Sequence, residues 1–254
     1  MKKKKIKLEK FPKSFRFKQF QVIQDENVMK VGTDAVLLGA LASIDGGRLL
    51  DIGCGTGVIS LMLAQRCSTI DQLIGIDIDE KTAEIAKINY TNSPWRNKLR
   101  AKHQSLQDFT LNEPSKFDLI VTNPPYYEHG LLPENEYKQL VKHSISLPFL
   151  ELVKSAADLL TPGGIFSIII PATAKQKFIT LTNGSGFALC RKVEIFSKEN
   201  SEPTRSILEF RLLREKDFHD EVIEDYLIIY AKSGKYSDEY KALTRAFYLD
   251  IDKH

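Results

Sequence analysis

Three alternating glycines after a short apolar segment constrain the fold of this chain more than any other feature. Residues 49–52 (Leu-Leu-Asp-Ile) have the pattern of a buried strand, and Gly53, Gly55 and Gly57 follow it. Apolar residues then recur at helical spacing. Glycines at a strand-to-helix turn let the backbone bend tightly and approach a ligand closely. The pattern predicts a strand–turn–helix unit of an α/β fold, although a glycine triplet alone also fits a turn without a ligand.

Two acidic residues beside this turn indicate the kind of ligand. Asp51 precedes the first glycine by two residues, in a D-x-G-x-G-x-G spacing that differs from the G-x-G-x-x-G of dinucleotide-binding proteins. A carboxylate there suits a cationic ligand better than a pyrophosphate, and S-adenosylmethionine carries a sulfonium and an ammonium group. Asp77 ends the next apolar run, where a strand-end acid accepts hydrogen bonds from ribose hydroxyls. Together the two acids predict a nucleoside-cofactor site.

Length and composition favour one large domain. The chain has 254 residues, of which 43% are hydrophobic, and this is ample for a core. Residues 1–14 are interpreted as a basic tail and residues 15–254 as a single domain. No apolar run approaches the ~20 residues that a membrane-spanning helix needs, and the start of the sequence has no apolar signal core. We therefore expect neither membrane association nor secretion.

The cysteines, histidines and charges restrict the possible partners. Cys54, Cys67 and Cys190 have no metal-ligand spacing and cannot all pair, which favours a reducing cytoplasm. The five histidines show no HxxxH pattern, so no metal is expected. The 36 basic and 33 acidic residues leave a charge of +3, so contact with a polyanion would depend on local patches. We expect a cytoplasmic, metal-free monomer.

Strands and helices are predicted to alternate along most of the chain. Strands are predicted at residues 100–103, Phe117–Thr122 and 165–170, and helices at residues 80–90 and 147–160. This alternation predicts a Rossmann-like, doubly wound α/β fold with a mostly parallel sheet. Residues 189–196 and 205–213 are joined by a loop too short for a helix and are predicted to form an antiparallel edge pair. A closing helix is predicted over residues 237–247.

A further helix is predicted ahead of the first strand of the sheet. Residues 29–34 read Met-Lys-Val-Gly-Thr-Asp, and an apolar helix face follows them. Thr33 or Asp34 is the predicted N-cap, and Gly32 allows a tight entry to the helix. Free amides at a helix start can bind a carboxylate, although a plain capped helix without a ligand is the commoner case.

The tetrapeptide Asn123-Pro124-Pro125-Tyr126 follows the predicted strand Phe117–Thr122 directly. In doubly wound sheets ligands gather at the carboxyl ends of the strands, so this segment and the glycine turn should face one crevice. An asparagine oxygen and the Pro124 carbonyl can both accept hydrogens from one planar amino group, and Tyr126 offers a ring on which a base can stack. Such an arrangement suits methyl transfer to an amine by alignment and fixed dipoles. Asn-Pro is also a common turn signal, so a plain loop is the alternative.

The combination of motifs resembles a known family. Asn-Pro-Pro-Tyr together with Asp-Ile-Gly-Cys-Gly-Thr-Gly is similar to S-adenosylmethionine-dependent methyltransferases that act on the amino group of adenine or of a glutamine side chain. The segments at residues 17–20, 29–34, 123–127 and 240–249 narrow this resemblance to the bacterial valine-tRNA (adenine-N6) methyltransferases. The similarity runs from about Phe15 to Asp250. It implies a class I methyltransferase fold and methylation of the adenine 3′ of the anticodon of a valine tRNA.

The resemblance also implies roles for individual residues. The target adenine would be held by Asn123, Pro124 and Tyr126. Many such enzymes bind the cofactor's adenine with an acid after the third strand, where this chain has Gln104-Ser105-Leu106-Gln107-Asp108. Ser105 is the predicted substitute and Asp108 the alternative. The remaining positions that match cofactor-binding residues are Lys30, Gly32, Thr33, Asp34, Asp51, Gly53, Gly55, Gly57, Asp77 and Asn123.

Two other functions are alternatives to tRNA methylation. A protein-glutamine methyltransferase acting on release factors would carry an extra helical domain ahead of the glycine turn, where only about fifty residues stand. A catalytically idle RNA-binding module would be indicated by loss of Asn123 or of a loop glycine, and both are present. Candidate contacts with tRNA are the basic and aromatic segment 13–18, Lys138, Lys142, His143, Arg191, Lys192, Arg205 and Arg211.

Overall fold

A mixed eight-stranded sheet with helices on both faces forms the centre of the structure, a computed structural model that describes residues 13–24, 31–125, 149–213 and 221–251. Its strands are β3 (Gly47–Ile52), β4 (Ile70–Asp77), β5 (Leu99–His103), β6 (Phe117–Thr122), β7 (Leu160–Pro171), β8 (Phe187–Lys198), β9 (Pro203–Leu212) and β10 (Ile223–Tyr230). The α-helices are α1 (Thr33–Leu41), α2 (Val58–Arg66), α3 (Glu80–Thr91), α4 (Leu106–Asn112), α5 (Phe149–Leu159), α6 (Lys175–Asn183) and α7 (Asp238–Thr244), and Ala172–Ala174 form a 3₁₀ turn. β1 (Lys13–Arg16) and β2 (Gln21–Gln24) form a separate hairpin.

The strand order is β10-β8-β9-β7-β6-β3-β4-β5. The five strands from β7 to β5 are parallel, and β9 runs antiparallel to both β7 and β8. The order reverses between β3 and β6, so a crevice opens at the carboxyl ends of these two strands. The Rossmann-like, doubly wound fold with an antiparallel pair is thereby confirmed.

β10 extends the sheet beyond the antiparallel pair. It lies parallel to β8, so β8 has a neighbour on each side. The sequence pattern did not predict this strand. The strand is mostly exposed, with Tyr226 73% and Ile223 59% accessible, as befits an edge strand that has only one hydrogen-bonded neighbour in the sheet.

Two apolar layers cover the faces of the sheet because alternate strand residues point to opposite sides. One layer packs Leu49, Leu73 and Val121 against α1, α2, α3 and α7. The other packs Leu50, Ile74 and Ile120 against α4, α5 and α6. β3 and β6 are buried on both faces over most of their length, which explains why their apolar residues are consecutive and do not alternate with polar ones. The glycine loop therefore follows a strand whose last four residues are buried.

The N-terminal hairpin packs on the first of these layers. Phe17 and Phe20 are stacked with their ring centroids 4.5 Å apart, and Phe17 also stacks on Tyr248 at 5.7 Å. The backbone amide of Ile23 donates to Asn89 Oδ1 at 2.8 Å, which ties β2 to α3. Both phenylalanines are buried, and neither lines the cavity at the carboxyl ends of the central strands. The basic tail at residues 1–12 lies outside the described residues.

None of the helices that the structure describes combines the length and the apolar character that a membrane crossing requires.

Candidate active site

A cavity of about 850 Å³ opens at the carboxyl ends of the central parallel strands. Its wall combines the start of α1, the turn after β3, the end of β4, the segment after β5 and the segment after β6. Of the predicted site residues, those that line this wall with a polar side chain are Thr33, Asp34, Asp77 and Asn123. Separate segments of sequence therefore meet at one crevice, as the topology requires.

The glycine loop forms the floor of the cavity. Gly53, Gly55 and Gly57 have φ angles of 68°, 57° and 83°, which are left-handed conformations that other residues rarely adopt. A Cβ atom at Gly57 would lie 2.3 Å from Tyr90 Cε1, so a side chain there would collide with the core. At Gly53 and Gly55 no described atom lies within 4 Å of such a Cβ position, because both glycines face the open cavity. The loop thus leaves space where a bound molecule can approach the backbone.

Asp77 lies at the end of β4 and organises this loop. Its Oδ2 accepts from the Gly55 amide at 2.9 Å, and its Oδ1 accepts from the Asp79 amide at 3.0 Å. Burial raises the pKa of Asp77 above its usual value, although the two amides act in the opposite direction. A carboxylate has about four acceptor positions, so two remain for hydroxyl groups in the cavity. The contact of Asp77 with a ribose stays a prediction.

Asp51 lies beneath the glycine loop and does not reach the cavity. It is fully buried, its Oδ2 accepts from Ser60 Oγ at 2.6 Å, and Ser60 Oγ in turn accepts from Tyr90 Oη at 2.7 Å. Among the described residues its Oδ1 has no hydrogen-bond partner. Burial raises the pKa of Asp51 to about 7, and the nearby charge of Asp77 adds to this rise. Asp51 is buried below the loop and does not line the cavity, so its expected contact with a cationic ligand stays a prediction.

The start of α1 faces the cavity through its first turn. Gly32, Thr33, Asp34 and Ala35 all line the wall. The N-cap is Gly32, in an extended conformation and without a side-chain cap, so the prediction of Thr33 or Asp34 as N-cap is wrong. Both side chains belong to the first helical turn instead. Because no side chain caps α1, its first amides are available to an anionic group of a ligand.

The segment after β5 differs from the prediction. Ser105 is the N-cap of α4, where its Oγ accepts from the Asp108 amide at 3.1 Å and donates to Asp108 Oδ2 at 2.7 Å. Neither Ser105 nor Asp108 lines the cavity, because each is used by the other. Their neighbours Gln104, Leu106 and Gln107 line the wall instead. These three residues were not among the predicted site residues, although Gln104 comes directly after the strand, where ligand contacts concentrate.

Asn123 follows β6 at the mouth of the cavity. Thr122 Oγ1 donates to the Ile52 carbonyl at 2.9 Å, which holds the end of β6 against the end of β3 beside the glycine loop. Asn123 is half-buried, Pro124 is buried and Pro125 is exposed, and all three line the wall. The predicted site residues Lys30 and Tyr126 lie outside the described residues.

The arginines and the lysine proposed for tRNA contact are already engaged within the protein. Arg191 pairs with Glu209 and Asp225, Lys192 with Glu224, and Arg205 with Asp34. Arg211 donates to the Gly163 carbonyl and pairs with Ile165, near the amino ends of the parallel strands and away from the cavity. Lys138, Lys142 and His143 lie outside the described residues. In the described part of the chain, no group of three or more His, Cys, Asp or Glu side chains could hold a metal ion.

Comparison with solved structures identifies the fold. A protein from Agrobacterium tumefaciens described as a "predicted O-methyltransferase" has a TM-score of 0.64 and 17% identity, covering 84% of this chain and 96% of its own. The 16S rRNA N2 G1207 methyltransferase of Thermus thermophilus, solved with AdoMet and guanosine, has a TM-score of 0.52 and 23% identity, covering 79% of this chain and 50% of its own. At these identities the likeness shows the class I methyltransferase fold alone.

Sequence comparison identifies the family. The family model described as "Methyltransferase small domain" matches residues 26–194. Relatives from Phocaeicola vulgatus and Flavobacterium psychrophilum are each 42% identical over 238 and 239 residues, covering 93% of this chain and 98% and 100% of their own length. Both carry the name tRNA1(Val) (adenine(37)-N6)-methyltransferase. The chain therefore belongs to the tRNA1(Val) (adenine(37)-N6)-methyltransferase family.

Proposed function

We propose that this protein uses S-adenosylmethionine to methylate the exocyclic N6 amine of an adenine in tRNA, the base 3′ of the anticodon of a valine tRNA. The observation that carries the proposal is the placement of Asn123 and Pro124 on the wall of the same cavity as the glycine loop and Asp77. The names of the relatives support the substrate. A tRNA substrate also fits the cytoplasmic location expected from the cysteines.

The cavity has the features that S-adenosylmethionine requires. Gly53 and Gly55 leave open space above the backbone, and Asp77 retains acceptor positions for the two ribose hydroxyls. The methionyl end carries a carboxylate and an ammonium group, for which the α1 amides and Asp34 are the matching partners. Gln104 and Gln107 would contact the adenine in place of an acid. When bound, the cofactor supplies an electrophilic methyl group.

The Asn-Pro-Pro segment orients the amine. The Asn123 side-chain oxygen and the Pro124 carbonyl would each accept one hydrogen of the target amino group, so that the nitrogen lone pair points away from the base plane towards the methyl. Pro125 has no amide hydrogen, and its ring fixes the backbone on which the Pro124 carbonyl sits. Tyr126 would stack on the extruded base. No base is needed at the start, because the amine proton becomes acidic only after nitrogen has gained its fourth bond.

Mass spectrometry of nucleosides provides the direct test. Purified protein is incubated with S-adenosylmethionine and an unmodified valine tRNA transcript, and the digest is searched for N6-methyladenosine. A transcript with guanine in place of the target adenine is the matched control. We expect methylation of the first transcript alone.

Two results would contradict the proposal. Methylation of a release-factor glutamine with none on tRNA would identify a protein methyltransferase instead. Tight tRNA binding without methylation of any substrate would identify an idle RNA-binding module.

A further inference from the structure

The cavity wall contains an ion pair whose basic member comes from β9. Arg205 Nε donates to Asp34 Oδ2 at 2.9 Å, and Arg205 Nη1 donates to the Thr204 carbonyl at 2.9 Å. Asp34 lines the cavity in the first turn of α1. Arg205 pairs with Pro171 in the β7–β9 ladder, at the carboxyl end of β7. The guanidinium therefore reaches the start of α1 at the carboxyl ends of the parallel strands, where the cavity opens.

The same strand also holds the other end of α1. Glu209 is 1% exposed and accepts from the Ser43 amide at 2.7 Å and from Ser43 Oγ at 2.5 Å. Arg191 lies 3.5 Å from Glu209 and donates to the Leu41 carbonyl at 2.8 Å. Arg205 and Glu209 are four residues apart on one strand, so both side chains point to the same face. α1 is thus attached to β9 at its beginning and just after its end.

The ion pair solves an electrostatic problem at the start of α1. A free carboxylate on Asp34 would repel the carboxylate of a zwitterionic ligand and could itself accept the first amides of its own helix. Arg205 offsets this charge and occupies one oxygen of Asp34, so that the other oxygen remains for a cation. The amides of α1 remain for the anion. The wall then offers the second oxygen of Asp34 to a cation and the first amides of α1 to an anion.

We propose that Arg205 is a positioning residue for the methionyl end of the cofactor, acting through Asp34. The proposal rests on the proposed function, since it takes S-adenosylmethionine as the ligand. It assigns Arg205 to the cofactor site, whereas the sequence suggested that this arginine contacts tRNA phosphates. The predicted consequence is selective: loss of Arg205 weakens binding of the charged methionyl end and leaves binding of the nucleoside unchanged.

Calorimetric titration with two ligands tests this selectivity. S-adenosylhomocysteine has both charged groups, and 5′-methylthioadenosine has the same nucleoside without them. For Arg205→Ala we expect the affinity for S-adenosylhomocysteine to fall about two- to fivefold, as for loss of a partly exposed ion pair. The affinity for 5′-methylthioadenosine should stay at the wild-type value. Arg205→Gln, which keeps a polar side chain without the charge, should behave alike and covers the case that the alanine variant does not fold.

Arg211→Ala is the matched control, because Arg211 lies on the same strand as Arg205 but at its other end, away from the cavity. It should leave both affinities unchanged. Equal loss of both ligands in the Arg205 variants would show general damage to the cavity and overturn the proposal, as would no loss of either. If the Arg205 variants lose affinity for tRNA and keep the wild-type affinity for both small ligands, Arg205 contacts a tRNA phosphate instead. If the wild-type protein binds neither ligand, the proposed function itself fails, and this outcome is distinct from the others.

Discussion

At the scale of single residues, the two acids near the glycine loop have different environments, although the sequence assigned both of them to the cofactor site. Asp77 faces the cavity and Asp51 is sealed beneath it. Spacing along the chain places both at the ends of strands, but it does not show which neighbouring hydroxyl a carboxylate meets. Ser60 and Tyr90, which hold Asp51, come from α2 and α3 and are brought to it only by tertiary packing.

Asp77→Ala should weaken S-adenosylmethionine binding by roughly 1–3 kcal/mol, the usual range for a buried acceptor that loses its hydroxyl partners. The Gly55 amide would also lose its acceptor, so the loop would be less ordered. Titration calorimetry measures the affinity. Asp71→Ala, an exposed acid on the same strand, is the control and should bind as the wild type does. Unchanged affinity of Asp77→Ala would contradict the ribose contact.

Asn123→Ala should abolish turnover and leave cofactor affinity nearly unchanged. The side chain is proposed to bind the amine, and loss of one such fixed dipole typically lowers kcat by about 10²–10³. Single-turnover methylation of tRNA measures the rate, and calorimetry measures the affinity. A variant that keeps more than about a tenth of the wild-type rate would exclude this role, because the expected loss is far larger.

The ionisation of Asp51 should make stability depend on pH. The unfolded carboxyl has its usual pKa of 3.8, whereas burial raises the folded value to about 7, so the folded state retains a proton that the unfolded state has lost. This contribution is fully present below the unfolded pKa and is lost as pH rises through the folded pKa. Each pKa unit corresponds to about 1.36 kcal/mol.

Asp51→Asn cannot ionise and keeps an oxygen for Ser60. Its free energy of unfolding relative to the wild type should therefore increase from about pH 4 to pH 7 and then level off. Urea denaturation across this pH range measures the difference. Asp71→Asn serves as the exposed control. A constant difference between the Asp51→Asn and wild-type curves would show that Asp51 titrates normally.

At the scale of elements, predictability depended on how much of a segment is buried. β6 was predicted with its correct bounds because both faces are covered over most of its length and Leu119, Ile120 and Val121 are consecutive apolar residues. α6 and α4 were missed because few of their residues are buried: Phe178 and Thr182 in the first, Leu106 and Phe109 in the second. Ser105 was misjudged for a related reason. A serine at the start of a helix accepts a hydrogen bond from an amide of the first turn. Because α4 was not predicted, this capping role of Ser105 was not predicted either.

Alanine substitutions at Gly57 and Gly55 should affect different properties, the first mainly stability and the second mainly cofactor affinity. Gly57→Ala should destabilise the fold by about 2 kcal/mol or more, since its φ angle is left-handed and its Cβ would collide with Tyr90. Gly55→Ala has open space and should cost only about 1 kcal/mol of stability. It should nevertheless lose cofactor affinity, because the new methyl projects into the cavity. Thermal unfolding and calorimetry on both variants separate these effects, and equal stabilities would refute the packing argument.

At the scale of the whole molecule, topology was more predictable than the substrate surface. The alternation of strands and helices determines the parallel sheet, and a loop at residues 199–202 requires β8 and β9 to be antiparallel. The charges that bind RNA could not be identified in the same way. A basic residue on a strand is equally compatible with a phosphate and with an acid of the protein itself, and Arg191, Lys192 and Arg205 each pair with such an acid.

Salt dependence should distinguish internal from external basic residues. Lys138→Ala/Lys142→Ala should lower the slope of log K for tRNA against log salt by about 0.7–0.9 for each phosphate that the variant no longer neutralises. Arg211→Ala should leave the slope unchanged, because its guanidinium is bonded to the Gly163 carbonyl. Binding is measured by fluorescence anisotropy over a salt series. A wild-type slope in the lysine variant would place the tRNA on another surface.

The attachment of α1 to β9 has a consequence for biosynthesis. Asp34 and Arg205 are 171 residues apart in sequence, and Ser43 and Glu209 are 166 apart. A nascent chain that has emerged only as far as β7 already contains the glycine loop and Asp77, but it lacks both anchors of α1. Contacts so distant in sequence form late, because closing a long loop is entropically costly. The part of the cavity wall that α1 contributes is therefore completed only after Pro203–Leu212 have left the ribosome, although the glycine loop and Asp77 are synthesised much earlier.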